Sequence, residues 1–166
     1  MSARNYWIGV VSKAHAYAAI GGGYVELNHG KAGPLERMRE GDGVALYSPR
    51  TDDPDGERVQ AFTAIGHVTG TAIVQARTSD GFAPFRRSAD YWPAEDAPIK
   101  PLIEGLSFIR SKLHWGAPFR FGFIRVSETD FAQIVHAMGR DFASDFPPLE
   151  AASRPVESRA VPVGVR

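Results

Sequence analysis

The chain has no cysteine among its 166 residues. This absence excludes a disulfide framework, a thiol nucleophile and any zinc site built on cysteine. No segment approaches the ~20 consecutive apolar residues that cross a bilayer, and the N-terminus lacks the long apolar stretch of a signal peptide. We therefore expect a cytoplasmic protein that does not contact a membrane.

The sequence also has no excess of positive or negative charge. Lysine and arginine total 19, aspartate and glutamate total 19, and the formal net charge is zero. Proteins that follow a phosphate backbone over many nucleotides are usually visibly basic. If nucleic acid is the ligand, binding must rest on a local patch and a specific pocket.

The sequence also lacks the common catalytic motifs. The glycines at 21–23 are not followed by the last glycine of a dinucleotide fingerprint, and Gly30-Lys31 is not followed by Ser or Thr as in a phosphate loop. The five histidines have no metal-ligand spacing, and there is no G-x-S-x-G elbow. We expect a non-enzyme without a cofactor or a metal ion.

Hydrophobic periodicity predicts strands at 5–12, 44–48 and 119–126, with two strands or one bent hairpin over 59–78. Ser12 is suited to cap a short helix that ends at the glycines 21–23. The sequence 127–130 has capping-box spacing before an amphipathic helix. These elements predict an α+β domain over 1–146, a small and mostly antiparallel β-barrel surrounded by short helices. The segment 147–166 is predicted to be a flexible or strapping tail.

Large planar side chains lie two positions from small residues on three predicted strands: Trp7 with Gly9, Tyr47 with Ala45, and Arg120 with Gly122. Residues two apart on a strand share a face. A planar group beside a missing side chain leaves a hole, which predicts an aromatic-lined pocket. Relief of crowding where a small barrel curves explains the same pattern, and the two interpretations have about equal weight.

Two polar loops add hydrogen-bond donors. The first contains Asn28, His29 and Lys31, and the second contains Trp115 between His114 and Gly116. A tryptophan in a loop exposes apolar surface unless it packs on the core or on a ligand.

Many short blocks, in order, make the sequence similar to the EVE domain family. They are YWIGV at 6–10, NHGKA at 28–32, PL at 34–35, MREGD at 38–42, YSP at 47–49, FTAIG at 62–66, FRR at 85–87, PIKPLI at 98–103, LSFI at 106–109, WG at 115–116 and FRFG at 119–122. The resemblance spans roughly residues 5 to 138.

The resemblance implies a PUA-like fold, related to the YTH and SRA domains. It also implies a module that reads a modified base: modified cytosine in DNA, or a modified base in RNA. Some bacterial relatives carry the module fused to a nuclease, whereas this chain contains the module alone. We expect it to recognise a mark without cutting, as a monomer or a weak dimer.

Candidate site residues follow from the residue pattern and the resemblance together. We expect Trp7 and Tyr47 to wall the pocket, because stacking of one base on an aromatic ring contributes ~1–3 kcal/mol and offsets the cost of extruding that base. The other candidates are two further aromatics, three readers of the base edge, and polar or cationic groups for the base edge or phosphate: Trp115 and Phe119; Ser12, Asn28 and Ser48; His29, Lys31, Arg86, Arg87 and Arg120. A buried ion pair with a neighbouring strand is an equal alternative for Arg120.

A small-molecule sensor is the alternative function. The same pocket would hold a free nucleoside or another planar metabolite, and the zero net charge somewhat favours this interpretation. Strong salt dependence of binding would distinguish nucleic acid from a free ligand.

Overall fold

A computed structural model describes residues 3–149, so the prediction for the tail falls mostly on residues outside the described range. Within it, the elements in chain order are β1 (Tyr6–Val10), α1 (Lys13–Gly22), β2 (Tyr24–Val25), α2 (Gly33–Glu36), β3 (Gly43–Arg50), β4 (Arg58–Gln75), β5 (Phe85–Tyr91), β6 (Ala97–Pro98), β7 (Phe123–Val126), α3 (Glu128–Ala137) and α4 (Phe142–Asp145). Short 3₁₀ turns lie at Asn28–Gly30, Lys100–Leu102 and Ala117–Phe121. None of the helices in 3–149 has the length and apolar character needed to cross a bilayer.

The strands form one mixed sheet in the order β2-β5-β4-β3-β1-β7, and β6 pairs with β4. Strands β1 and β3 are parallel, with Trp7 opposite Val44, while the other ladders are antiparallel. The parallel pair requires a long crossover, which α1, β2 and α2 supply. The predicted α+β class is confirmed. The predicted barrel is not confirmed, because the pairing path is open and ends at β2 and β7 within the described residues.

Both predicted helix caps are present. Ser12 Oγ accepts a hydrogen bond from His15 N–H at 3.1 Å, and Gly23 ends α1 in the left-handed region with φ of 72°. Ser127 Oγ accepts from Asp130 N–H at 3.1 Å at the start of α3. Each cap satisfies a backbone donor that the helix itself leaves unpaired.

Two strand predictions need correction. Residues 58–75 form a single long strand, β4, whose pairing with β5 shifts between Val68 and Ile73. The predicted strand 119–126 begins only at Phe123, because Ala117–Phe121 is a 3₁₀ turn that ends at Gly122 with φ of 76°. Pro118 favours that turn, since it has no N–H for a ladder hydrogen bond.

Apolar side chains cover both faces of the sheet. One cluster contains Ile8, Tyr47 and Phe131 and packs under α3. The other contains Trp7 and Leu46 and packs under α1. Because successive residues of a strand face opposite sides, the neighbours Trp7 and Ile8 belong to different clusters.

Candidate functional site

A polar cleft of ≈ 670 Å³ opens where four segments meet. The start of α1 forms one side and the turn at 28–31 another, while the β3–β4 loop and the 3₁₀ turn Ala117–Phe121 complete the wall. Its lining residues are Val10, Val11, Ser12, His15, Glu26, Asn28, His29, Lys31, Pro49, Arg50, Asp52, Asp53, Pro54, Phe82, Phe119, Arg120, Phe121 and Gly122. The volume lies in the ~300–1,000 Å³ range typical of small-ligand sites.

The turn at 28–31 has an unusual backbone. Asn28, His29 and Gly30 are consecutive left-handed residues, with φ of 49°, 58° and 81°. Non-glycine residues in this region cost ~1–3 kcal/mol each and persist only where the surroundings impose them. Gly30 packs against Pro84, so closely that an added Cβ would lie 2.5 Å from Pro84 Cβ. The turn is therefore held rigidly at the cleft.

Gly122 joins three parts of the cleft. Its carbonyl oxygen accepts a hydrogen bond from Val10 N–H at 3.0 Å, and its φ of 76° suits glycine. The Asn28 side-chain oxygen occupies the space where any Cβ at Gly122 would lie. A side chain at Gly122 would displace Asn28, so the amide can occupy this place only because Gly122 has no side chain.

An aromatic stack lies beneath the cleft. Phe119 is 7% exposed and lines the cleft, and its ring stacks on Tyr47 at 4.1 Å with an interplanar angle of 14°. Burial raises the pKa of Tyr47 to about 12. Tyr47 therefore supports the cleft from within the core instead of walling it, which corrects its predicted place.

Cationic and aromatic side chains project from the rim. Arg120 is exposed, as is Lys31 on the facing turn, and Phe121 is 74% exposed. The alternative of a buried ion pair for Arg120 is wrong, because the side chain is exposed and forms no salt bridge within residues 3–149.

His15 and a neighbouring ion pair lie on the α1 side of the cleft. Burial lowers the pKa of His15, although the nearby Glu26 carboxylate acts in the opposite direction. His15 Nε2 is buried without a hydrogen-bond partner in the described part of the chain. Arg86 Nε donates to Glu26 Oε1 at 2.8 Å, and the Arg86 guanidinium lies 4.0 Å from the Tyr24 ring centroid. Arg86 thus forms an ion pair with the cleft residue Glu26 but does not itself line the cleft.

Trp7 does not wall a pocket. Its side chain is 2% exposed, and its Nε1 donates a hydrogen bond to Asp42 Oδ2 at 2.8 Å. Its ring stacks on the ring of Phe123, with 4.7 Å between the ring centroids and an interplanar angle of 9°. It lies on the opposite face of the sheet from Tyr47. The single cavity predicted to contain Trp7, Tyr47 and Arg120 does not form.

Three more predicted residues lie elsewhere. Ser48 is fully buried, with its Oγ 2.7 Å from Thr63 Oγ1. Trp115 is half-buried against the α3 side of the core. Arg87 is 5% exposed, and its guanidinium donates to three backbone carbonyl oxygens, those of Leu35, Met38 and Gly70. Arg87 thus joins the segment around α2 to the irregular part of β4, and a buried cation in that role cannot meet a phosphate.

The cleft contains six of the predicted residues: Ser12, Asn28, His29, Lys31, Phe119 and Arg120. Sequence reasoning missed His15, which lies three positions after the cap Ser12 on the first turn of α1. It also missed the aspartates of the β3–β4 loop, which read as an ordinary solvated turn. No group of three or more His, Cys, Asp or Glu residues with metal-binding potential occurs within residues 3–149.

Comparison with known proteins places the chain in a family. The EVE domain model matches residues 5–137. The chain is 43% identical to the UPF0310 protein msl3206 of Mesorhizobium japonicum over 136 residues, which cover 81% of this chain and 91% of that protein. It is 41% identical to the UPF0310 protein YdcG of Bacillus subtilis over 135 residues, covering 81% and 92% respectively. A crystal structure of protein Atu2648 from Agrobacterium tumefaciens superposes with a TM-score of 0.47 at 15% identity, over 82% of this chain and 94% of that one. The chain belongs to the EVE domain family.

Proposed function

We propose that this domain binds nucleic acid without catalysis, by taking a single modified base into the polar cleft. The observation that carries the proposal is the pairing of Asn28, whose backbone lies in a strained turn and whose amide oxygen packs beside Gly122, with exposed cations at Lys31 and Arg120 around one cleft. Membership of the EVE family supports it. We infer in addition that the mixed sheet is the core of a PUA-like barrel.

The cleft suits one nucleotide better than a length of backbone. Its ≈ 670 Å³ is a single concavity, and the formal net charge of the chain is zero. Recognition in this proposal is therefore concentrated in the cleft, with a few cations at its edge. The base is the group that the cleft reads, and phosphate contacts position it.

Asn28 is the proposed reader of the base edge. An amide side chain presents both a donor and an acceptor, which matches the edge of a nucleobase. The strained turn holds Asn28 before the ligand arrives, so little freedom is lost on binding. Phe119, supported by the stack on Tyr47, offers aromatic surface on the cleft wall. Lys31 and Arg120 are the proposed phosphate contacts.

The test is a panel of oligonucleotides that differ only in one modified cytosine or adenine. One modified strand should bind more tightly than its unmodified twin. Asn28→Asp keeps the side-chain shape and tolerates the left-handed backbone, but it removes the amide donor. This variant should stay folded and lose about 5- to 150-fold of the preference, since a good base contact discriminates by ~1–3 kcal/mol. Equal weak binding across the whole panel contradicts the proposal.

The small-molecule sensor stays as the second candidate, favoured by the zero net charge. Trp7→Ala cannot separate the two functions, because Trp7 is a core residue. Charge reversal at Arg87 would likewise break its contacts with buried carbonyls. Charge reversal at Lys31 and Arg120 is the better probe, since both side chains are exposed. A sensor of a neutral nucleoside keeps its affinity in that variant and at raised salt, whereas nucleic-acid binding falls.

A further inference from the structure

The segment around the 3₁₀ turn Ala117–Phe121 carries only positive charges. No aspartate or glutamate occurs from 105 to 127. Arg110, Lys112 and His114 precede the turn and Arg120 lies within it. Only Lys112 has an acidic neighbour among the described residues, Glu104 at 3.8 Å, in a solvent-exposed pair. We call residues 110–121 the basic rim, of which Phe119, Arg120 and Phe121 line the cleft.

The basic rim also carries unusual apolar exposure. Leu113 is 84% exposed and Phe121 is 74% exposed, the two most exposed large apolar side chains in residues 3–149. Phe119 and Phe121 both line the cleft, but Phe119 is 7% exposed and belongs to the core, whereas the ring of Phe121 is open to solvent. The ring of Phe121 is exposed, and it lies beside the cleft and next to the exposed Arg120. Proteins that bind single-stranded nucleic acids present aromatic rings of this kind, on which the bases stack.

Another segment of the cleft wall is rich in acids. The loop between β3 and β4 carries four acids, Asp52, Asp53, Asp55 and Glu57, and the first two line the cleft. We call residues 50–58 the acidic rim; its four acids outnumber its two arginines, Arg50 and Arg58, of which Arg50 also lines the cleft. Phosphates are therefore favoured along the basic rim over the acidic rim.

We infer that the ligand is a single strand that runs along the basic rim, with the base next to the recognised one stacked on Phe121. This inference rests on the proposed function and adds the strandedness of the ligand and the residue that selects it. In a duplex, the faces of neighbouring bases are covered by their own stacking partners, so an open phenylalanine face gains nothing. In a single strand each base has a free face, and stacking is tolerant of sequence. DNA and RNA strands share this chemistry.

The test compares one modified base in three forms: a short single strand, the same strand annealed to its complement, and the free nucleoside. DNA and RNA versions of the strand identify the source. Phe121→Ala should weaken single-strand binding by about 5- to 150-fold, and Phe121→Trp should retain it. Tyr17→Ala is the matched control, because Tyr17 is 51% exposed on α1 and does not line this cleft. The free nucleoside, which has no neighbouring base, should lose less affinity in Phe121→Ala than the single strand does.

Three results would overturn the inference. They are a duplex that binds as tightly as the single strand, a Phe121→Ala variant that binds the single strand like the wild type, and equal losses in Phe121→Ala and Tyr17→Ala. Each leaves a preference for the modified base intact, and so leaves the proposed function standing. Loss of that preference in every form, the free nucleoside included, overturns the proposed function and the inference together.

Discussion

The two rims of the cleft differ in how they use their polar groups. On the acidic rim the side chains and backbone bond to one another: Asp52 Oδ1 accepts from Asp53 N–H at 2.9 Å, Thr51 Oγ1 accepts from Glu57 N–H at 2.9 Å, and Arg50 donates to Gly56 O at 2.9 Å. On the basic rim, Arg120 and Phe121 are exposed and make no comparable bonds within residues 3–149. The acidic rim is therefore braced by bonds within its own loop, although the carboxylates of Asp53, Asp55 and Glu57 form no hydrogen bond or salt bridge among the described residues. On the basic rim, the Arg120 guanidinium and the Phe121 ring are exposed to a ligand.

Gly122→Ala, at the end of the basic rim, should have the largest effect. Alanine at φ of 76° is strained, at ~1–2 kcal/mol, and its Cβ would collide with the Asn28 amide. We expect a fall of ~2 kcal/mol or more in the free energy of unfolding and loss of ligand binding. Thermal unfolding and a binding assay measure the two effects. Gly21→Ala is the matched control, since open space surrounds Gly21, and it should keep both properties. Unchanged binding in Gly122→Ala would show that the Asn28 position does not matter.

Exchanging the charge of each rim in turn tests the comparison directly. Arg120→Glu should weaken oligonucleotide binding by about tenfold or more, because a phosphate contact becomes a repulsion. Asp53→Lys on the acidic rim should leave binding unchanged or tighten it. Both residues are exposed, so both variants should unfold like the wild type. Equal losses in the two variants would mean that the rims do not differ in function.

Part of the fold and of the cleft is predictable from the sequence. Ser12, Ser127 and the polar turn at 28–31 were predictable, because caps and turns depend on a few adjacent residues. The prediction that Trp7 and Tyr47 wall the pocket was wrong. The two-residue period of a strand shows which residues share a face, but it does not show whether that face is open to solvent. In a sheet covered on both sides, both faces are core. The sequence of the acidic rim is typical of a solvated turn. Its position beside the cleft could not be predicted, because that position depends on contacts between residues distant in sequence.

Removing one cation should change the salt dependence more subtly. Lys31→Ala should reduce the slope of log affinity against log salt by ~1 if Lys31 meets a phosphate. Glu36→Ala, an exposed change on α2, serves as a control and should leave the slope unaltered. A slope that stays at its wild-type value in Lys31→Ala removes this residue from the phosphate contacts.

The smallest expected effect concerns His15. Burial lowers its pKa in the folded state from 6.5, so the folded protein binds fewer protons than the unfolded chain. Stability from this residue is therefore fully present above pH ~6.5 and declines as the pH falls through the interval between the two pKa values. His15→Gln, which does not titrate, should show a flatter dependence of melting temperature on acid pH. An unchanged pH profile in His15→Gln would contradict a buried neutral imidazole.

The most direct measurement of the central claim is the affinity of the wild-type domain for one modified base and its unmodified twin, in strands of identical sequence and length at the same salt concentration. We expect at least one modification in the panel to improve affinity about fivefold or more, since base contacts discriminate by ~1–3 kcal/mol. We also expect this preference to shrink in Asn28→Asp. Equal affinity for every pair, with no response to Asn28→Asp, would contradict a base-reading cleft.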